Sequence, residues 1–184
     1  VVDGFRITDG EINYVNRRVF RDQPRKLMRV FLLMQRHSVR LHPDLAQRIR
    51  DQVWLVNRKF REDLHVHETF LEILNQPGAV GHVLRRMHEL DFLGKYLPEF
   101  GRLTCLVQHE FDHQYTVDEH TLVCLERLDG LWEEKWDQYR RYHEVFEEID
   151  RPSTLYLALL LHDAGKGIET DHHEREGARV ADHV

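Results

Sequence analysis

The chain has 184 residues and a net charge of −6, with 41% hydrophobic and 32% charged residues. That is enough apolar material to bury a core and too much for a disordered chain. No run approaches the roughly 18 apolar residues that cross a bilayer, and the first residues do not resemble a secretory leader, so neither a membrane span nor export is expected.

Cys105 and Cys124 make neither a disulfide framework nor a Cys-x-x-Cys zinc spacing, which suits a reducing cytoplasm. Histidine is the anomaly: 14 in all, of which 12 follow position 60. Residues 1–60 carry 13 Lys/Arg against 6 Asp/Glu, and residues 61–184 carry 13 against 26. Such a split usually marks solvated helix faces, and otherwise a phosphate-bearing partner or a neighbouring domain. No aromatic interleaving suggests a nucleic-acid groove, so no nucleic acid is expected as partner.

Phe5 to Tyr14 alternates apolar and polar around Asp9-Gly10, which predicts a β-hairpin with a type I′ turn. Leu27, Val30, Phe31 and Met34 then recur at helical spacing, predicting an amphipathic helix from Pro24 to about His37. A second helix follows Leu41-His-Pro-Asp44 and is expected to bury Leu45, Ile49, Val53 and Val56. Helices are expected over 62–75, ending before Pro77-Gly78, and over 79–90. Pro98-Glu-Phe-Gly101 interrupts the pattern, and a domain boundary is placed there, dividing 1–97 from 98–184.

Thr116-Val-Asp-Glu119 has the form of a capping box and opens a helix over 117 to about 129, with His120 in its first turn. Trp132, Trp136, Tyr139, Tyr142 and Phe146 form a stripe expected to pack as core. Pro152-Ser153 opens an apolar helix, expected to be buried, that ends at Leu161-His162-Asp163. A polar loop and a last helix from about Glu174 complete a mostly α fold with one N-terminal hairpin.

The sharpest chemical feature is His162-Asp163-Ala-Gly-Lys166, which offers an imidazole and a carboxylate to a cation from one corner of the backbone. Gly165 lets the chain turn away, and Lys166 carries positive charge towards a phosphate. His120, at a helix start, and His173, ten residues beyond Asp163, are further ligand candidates, with His172 an alternative in the same loop. Singly, each is more often a surface or capping histidine; together they point to a metal site. Mixed imidazole and carboxylate donors suit Mn²⁺, Fe²⁺, Co²⁺ or Zn²⁺ rather than Ca²⁺, and the chemistry they imply is hydrolysis at phosphorus.

The spacing His120…His162-Asp163 resembles the HD phosphohydrolase superfamily. The run His113-Gln-Tyr115-Thr-Val-Asp-Glu-His120-Thr121, preceded by Leu97-Pro-Glu-Phe100, resembles one branch of it, the bacterial bifunctional PII uridylyltransferases/uridylyl-removing enzymes. Asp3-Gly-Phe-Arg6, Arg36-His37, Leu41-His-Pro-Asp44, Phe70-Leu-Glu-Ile-Leu74 and Arg86-Met-His88 extend the likeness over the whole chain.

The resemblance implies a helical region that follows a nucleotidyltransferase domain, then the first part of an all-helical HD domain, truncated at Val184. It implies that the HD domain removes UMP from a tyrosine of the PII signal protein, and that ACT domains elsewhere in the full-length chain sense glutamine. By position, His120, His162, Asp163 and His173 would hold a divalent metal, Mn or Mg by family and Fe, Co or Zn as alternatives. Asp163 and Lys166 would be catalytic, with Lys166 and His113 facing the substrate phosphate. The Gly-Ser loop and paired aspartates of UMP transfer are absent, and further ligands are expected downstream, so the segment alone is expected to be inactive. Two other readings fit the same residues: an HD-type hydrolase of nucleotides or second messengers, and a non-catalytic helical regulatory module.

Overall fold

The computed structural model describes residues 1–107, 116–132 and 140–167. The chain divides into two compact units, Val1–Ile73 with Arg86–Tyr96, and Leu74–Arg85 with Leu97–Val184. It is mostly helical with a small sheet near its N-terminus, the fold class expected from the sequence.

In the first unit, β1 (Phe5–Thr8) pairs antiparallel with β2 (Glu11–Tyr14), with Phe5 opposite Tyr14 and Thr8 opposite Glu11. Asp9 and Gly10 both have positive φ, 51° and 74°, as a two-residue type I′ turn requires. Alternation sends Phe5 and Ile12 into the core, where both are fully buried, and Phe5 meets Phe20 at 6.0 Å. A third strand, β3 (Arg40–Leu41), runs parallel to β2. Its flanking amides secure it, Arg40 donating to the Gly10 carbonyl at 2.9 Å and His42 to that of Ile12 at 3.0 Å. Two residues are too few to show alternation, so no strand is expected there from the sequence.

After the single turn α1 (Val19–Asp22), helix α2 (Lys26–Arg36) buries Met28, Leu32 and Leu33 as well as the expected Leu27, Val30, Phe31 and Met34. It is therefore central and apolar around most of its surface. Arg36 and Glu72 form an exposed ion pair at 2.8 Å, and Gln35 donates to the Ile73 carbonyl.

Helix α3 (Pro43–Gln52) starts with proline at its first turn and with His42 Nδ1 accepting from the Asp44 amide at 3.2 Å. It ends sooner than expected. A 3₁₀ turn takes over at Val53–Leu55, leaving Val53 half-buried and Val56 buried beyond the helix. Asn57 then caps the single turn α4 (Arg58–Arg61), its side chain accepting from the Phe60 amide. Helix α5 (Leu64–Leu74) follows, α6 (Val80–Glu89) opens in the second unit and ends in the first, and α7 (Leu93–Tyr96) closes the first unit. Phe31, Phe60, Phe70, Phe92 and Tyr96 form its aromatic core, with rings 5.0 Å apart for Phe31–Phe92 and for Phe70–Tyr96. Burial pushes the Tyr96 phenol up.

In the second unit, Pro98–Gly101 forms one helical turn, α8, rather than an irregular break. Helix α9 (Val117–Trp132) packs against α10 (Arg140–Glu147) and α11 (Pro152–Leu161). Glu119 accepts from Arg85 at 2.9 Å, and Glu126 accepts from the same guanidinium. Hydrogen bonds to Glu126 and Glu119 hold Arg85 well above its ordinary value.

The aromatic stripe is only partly core. Trp132 meets Phe146 with ring centroids 6.4 Å apart, but Tyr142 is exposed, because α10 turns His143 and Phe146 inward instead. Trp136 and Tyr139 lie outside the described residues, as does the helix expected from Glu174. Helix α11 buries Tyr156, Leu160 and Leu161 but exposes Ala158, so it is one-sided rather than wholly buried.

Candidate metal centre

The second unit is organised around a carboxylate that the sequence does not advertise. Asp129, near the end of α9, is 6% exposed. It accepts from the amides of Gly78 (3.2 Å), Val80 (3.2 Å) and Gly81 (2.7 Å), and from the Tyr156 hydroxyl (2.6 Å). The Val80 and Gly81 amides are among those left without intrahelical partners in the first turn of α6, and Gly78 leads into it, so Asp129 acts as a cap supplied from another helix. Burial pushes its carboxyl up, while the Tyr156 hydroxyl and the amides, all of them donors, pull it back. Tyr156 lies on α11, so this one bond ties together the two helices that carry the candidate ligands.

On α9, the His120 amide donates to the Thr116 carbonyl at 2.8 Å, which puts the imidazole in the first turn as the sequence predicts. On α11, His162 is the C-cap, and the chain then tightens into a 3₁₀ turn at Ala164–Gly167. These elements bring His120, His162 and Asp163 together. Each offers one donor atom, all within 4.8 Å of one another, and the two rings lie 6.0 Å apart.

The polarity of the cluster follows from its hydrogen bonds. His162 Nδ1 lies 2.6 Å from the Leu159 carbonyl oxygen, which can only accept, so Nδ1 carries a proton. In the neutral ring the lone pair is then on Nε2, which faces Asp163 Oδ2 at 3.3 Å. Two electron-pair donors in that position need a cation or a proton between them. Lys166 Nζ lies 2.8 Å from Asp163 Oδ1, which leaves Oδ2 as the oxygen turned to the histidine. Asp163 is 6% exposed, as the anchor of such a group should be. The residues therefore suit a divalent ion of borderline softness, with the Leu159 carbonyl orienting His162 and Lys166 holding the other oxygen of Asp163.

One neighbour escapes the sequence reading. Cys124, one helical turn beyond His120, places Sγ 3.6 Å from His120 Nε2. Burial pushes its thiol up, Arg127 opposes this, and Asp163 adds to it. The spacing i, i+4 on one helix was the available signal. His113 and His173, with the alternative His172, lie outside the described residues.

A histidine–carboxylate cluster held at the junction of packed helices defines the chain as a helical protein with a candidate cation site. A family model for the uridylyltransferase GlnD third domain matches residues 5–96, ending where the first unit ends. The chain belongs to that uridylyltransferase family. It is 40% identical over 162 residues to the bifunctional uridylyltransferase/uridylyl-removing enzyme of Methylococcus capsulatus, covering 86% of this chain and 18% of that one. Against the enzyme of the same name from Azotobacter vinelandii it is 36% identical over 173 residues, covering 92% and 19%. A stretch of 92% cannot leave out the segment from His120 to Lys166, so the cluster lies within the alignable region. The chain spans less than a fifth of the length of these relatives.

Proposed function

We propose that the second unit carries part of the hydrolytic centre of a uridylyl-removing enzyme, which cleaves the phosphodiester joining UMP to a tyrosine of the PII signal protein in the cytoplasm. The observation that carries this reading is the pairing of His162 Nε2 with Asp163 Oδ2 beside His120, with the tautomer fixed by the Leu159 carbonyl. The names of the relatives support uridylyl removal, and the PII tyrosine comes from the likeness read in the sequence.

In this reading His120, His162 and Asp163 hold a divalent ion, Mn²⁺ or Mg²⁺ by family likeness, with Fe²⁺, Co²⁺ or Zn²⁺ as alternatives of the same donor chemistry. When bound, such an ion supplies a water of lowered pKa and positive charge beside a phosphoryl oxygen. Asp163 keeps one oxygen on Lys166 and turns the other to the ligand cluster. Lys166, partly exposed on its 3₁₀ turn, offers positive charge to a non-bridging oxygen of the phosphodiester. His113 and His173 complete the substrate and metal contacts, as the family likeness implies, and nucleotidyltransferase and ACT domains belong to the whole protein.

The test is a substrate panel presented to the full-length enzyme: uridylylated PII, free nucleotides and cyclic dinucleotides. Release of UMP from PII with the others untouched is expected. Turnover of free nucleotides with PII untouched would replace the substrate.

A further inference from the structure

We infer that a cleft in the first unit, between the start of α2 and the turns that carry Leu55 and Phe60, binds a small organic anion: a carboxylate or phosphate monoester on an apolar or aromatic body. The inference is independent of the cation cluster, because every residue that lines the cleft lies in the first unit.

The cleft has a volume of about 420 Å³, a size that small-molecule sites commonly have. Pro24, Leu55 and Phe60 supply its apolar surface. Around them the polar groups are unequally engaged. Both oxygens of Asp63 are taken, Oδ2 accepting from Arg25 Nε at 2.7 Å and Oδ1 from the His65 amide at 3.0 Å. That ion pair holds the Arg25 guanidinium by one edge, and its two Nη groups donate to nothing among the described residues. Asn57 Oδ1 accepts from the Phe60 amide at 3.1 Å, so the end of that side chain still available is its NH₂. Lys59 forms no ion pair among the described residues. What the cleft offers is therefore donors, with two cations against one carboxylate that is already paired.

The helix beside it adds to the same imbalance. The N-terminus of α2 carries partial positive charge and would ordinarily attract Asp or Glu. Here Arg25 is the N-cap, no side chain caps the helix, and no acidic residue stands in its first turn. An anion in the cleft would meet this pole, the Nη edge of Arg25, which fits two oxygens of one acid group, and the Lys59 ammonium. The ring or chain of the same molecule would cover Phe60, Leu55 and Pro24. A bare inorganic ion meets only the charged half of the cleft, and a cation meets donors it cannot satisfy.

The experiment titrates full-length protein with phenyl phosphate, benzoate, inorganic phosphate and benzylamine, followed by methyl NMR at Leu55, whose signal reports on this cleft and not on anion sites elsewhere. Saturable shifts are expected with phenyl phosphate and benzoate, with inorganic phosphate at least about tenfold weaker for want of the apolar contact. Arg25→Gln is expected to weaken phenyl phosphate binding at least about tenfold, and Lys59→Glu at least about fivefold. Arg25→Gln also unties Asp63, so Lys59→Glu, which breaks no contact among the described residues, keeps the test sound if the first variant unfolds. No saturable shift with either aromatic acid overturns the inference, as does equal affinity in wild type and Lys59→Glu. Inorganic phosphate or benzylamine binding as tightly as phenyl phosphate overturns it too.

Discussion

Replacing Gly81 by alanine tests how tightly α6 is held against α9 in the second unit. A Cβ at position 81 would lie 2.6 Å from the Glu126 amide nitrogen and 2.8 Å from Glu126 Cα and the Leu125 carbonyl carbon, where ordinary contact is 3.4–4 Å. All three are backbone atoms of a helix and cannot rotate aside, so the two helices must part by roughly 0.6–0.8 Å. The Gly81 amide, 2.7 Å from Asp129 Oδ2, would move to about 3.4 Å and leave hydrogen-bonding range. Overpacking of this kind costs about 1–3 kcal/mol, and weakening a bond to a buried carboxylate about 1.5–3 kcal/mol. Alanine's better helix propensity returns about 1 kcal/mol. The net loss is about 1.5–5 kcal/mol, a fall in Tm of about 3–20 °C for a chain of this size. Thermal unfolding followed by circular dichroism reads it. A variant as stable as wild type, or more stable by the propensity difference, would show that the close approach does not exist.

The remaining predictions concern the carboxylates and the lysine. Asp129→Asn turns an NH₂ group towards donors and is expected to cost about 2–4 kcal/mol in urea unfolding. It should also weaken Mn²⁺ binding at a cluster it does not touch, because Asp129 joins α9 to α11 through Tyr156; unchanged binding would separate that bond from the site. For Asp63, burial pushes the carboxyl up, but the Arg25 guanidinium and the amides of His65 and Val66 outweigh this and hold it below its ordinary 3.8. Because the folded value is the lower one, the stability Asp63 contributes is present above pH 3.8 and is lost as pH falls through the folded value. The advantage of wild type over Asp63→Asn in urea should therefore be present at neutral pH and fade in acid; an advantage that grows in acid would reverse the assignment. Lys166→Ala should lower phosphodiester turnover while Mn²⁺ stays bound, and loss of the metal would give Lys166 a structural role.

Legibility in the sequence followed distance along the chain. The Asp9-Gly10 turn, the α2 stripe and the His162-Asp163 corner are local, each specified by neighbours within a few residues, and each stands where the pattern puts it. Asp129 could not be found that way, because its amide partners lie 48 to 51 residues before it and Tyr156 lies 27 after it. Strand β3 is two residues long and exists through its pairing with β2 rather than through any propensity of Arg40-Leu41. Tyr142 misled for a related reason: spacing alone does not say which side of α10 faces a neighbour, and there His143 and Phe146, not Tyr142, meet Trp132. The convergence of His120 on His162 depends on α9 packing against α11, and periodicity alone carries no information about which helices meet.

The central claim is that His120, His162 and Asp163 belong to a uridylyl-removing centre, and full-length protein carrying His162→Ala tests it most directly. With Mn²⁺ supplied, UMP release from uridylylated PII should fall to background while UMP attachment by the same protein remains. Release at the wild-type rate would contradict the metal assignment and return His162 to the surface histidines.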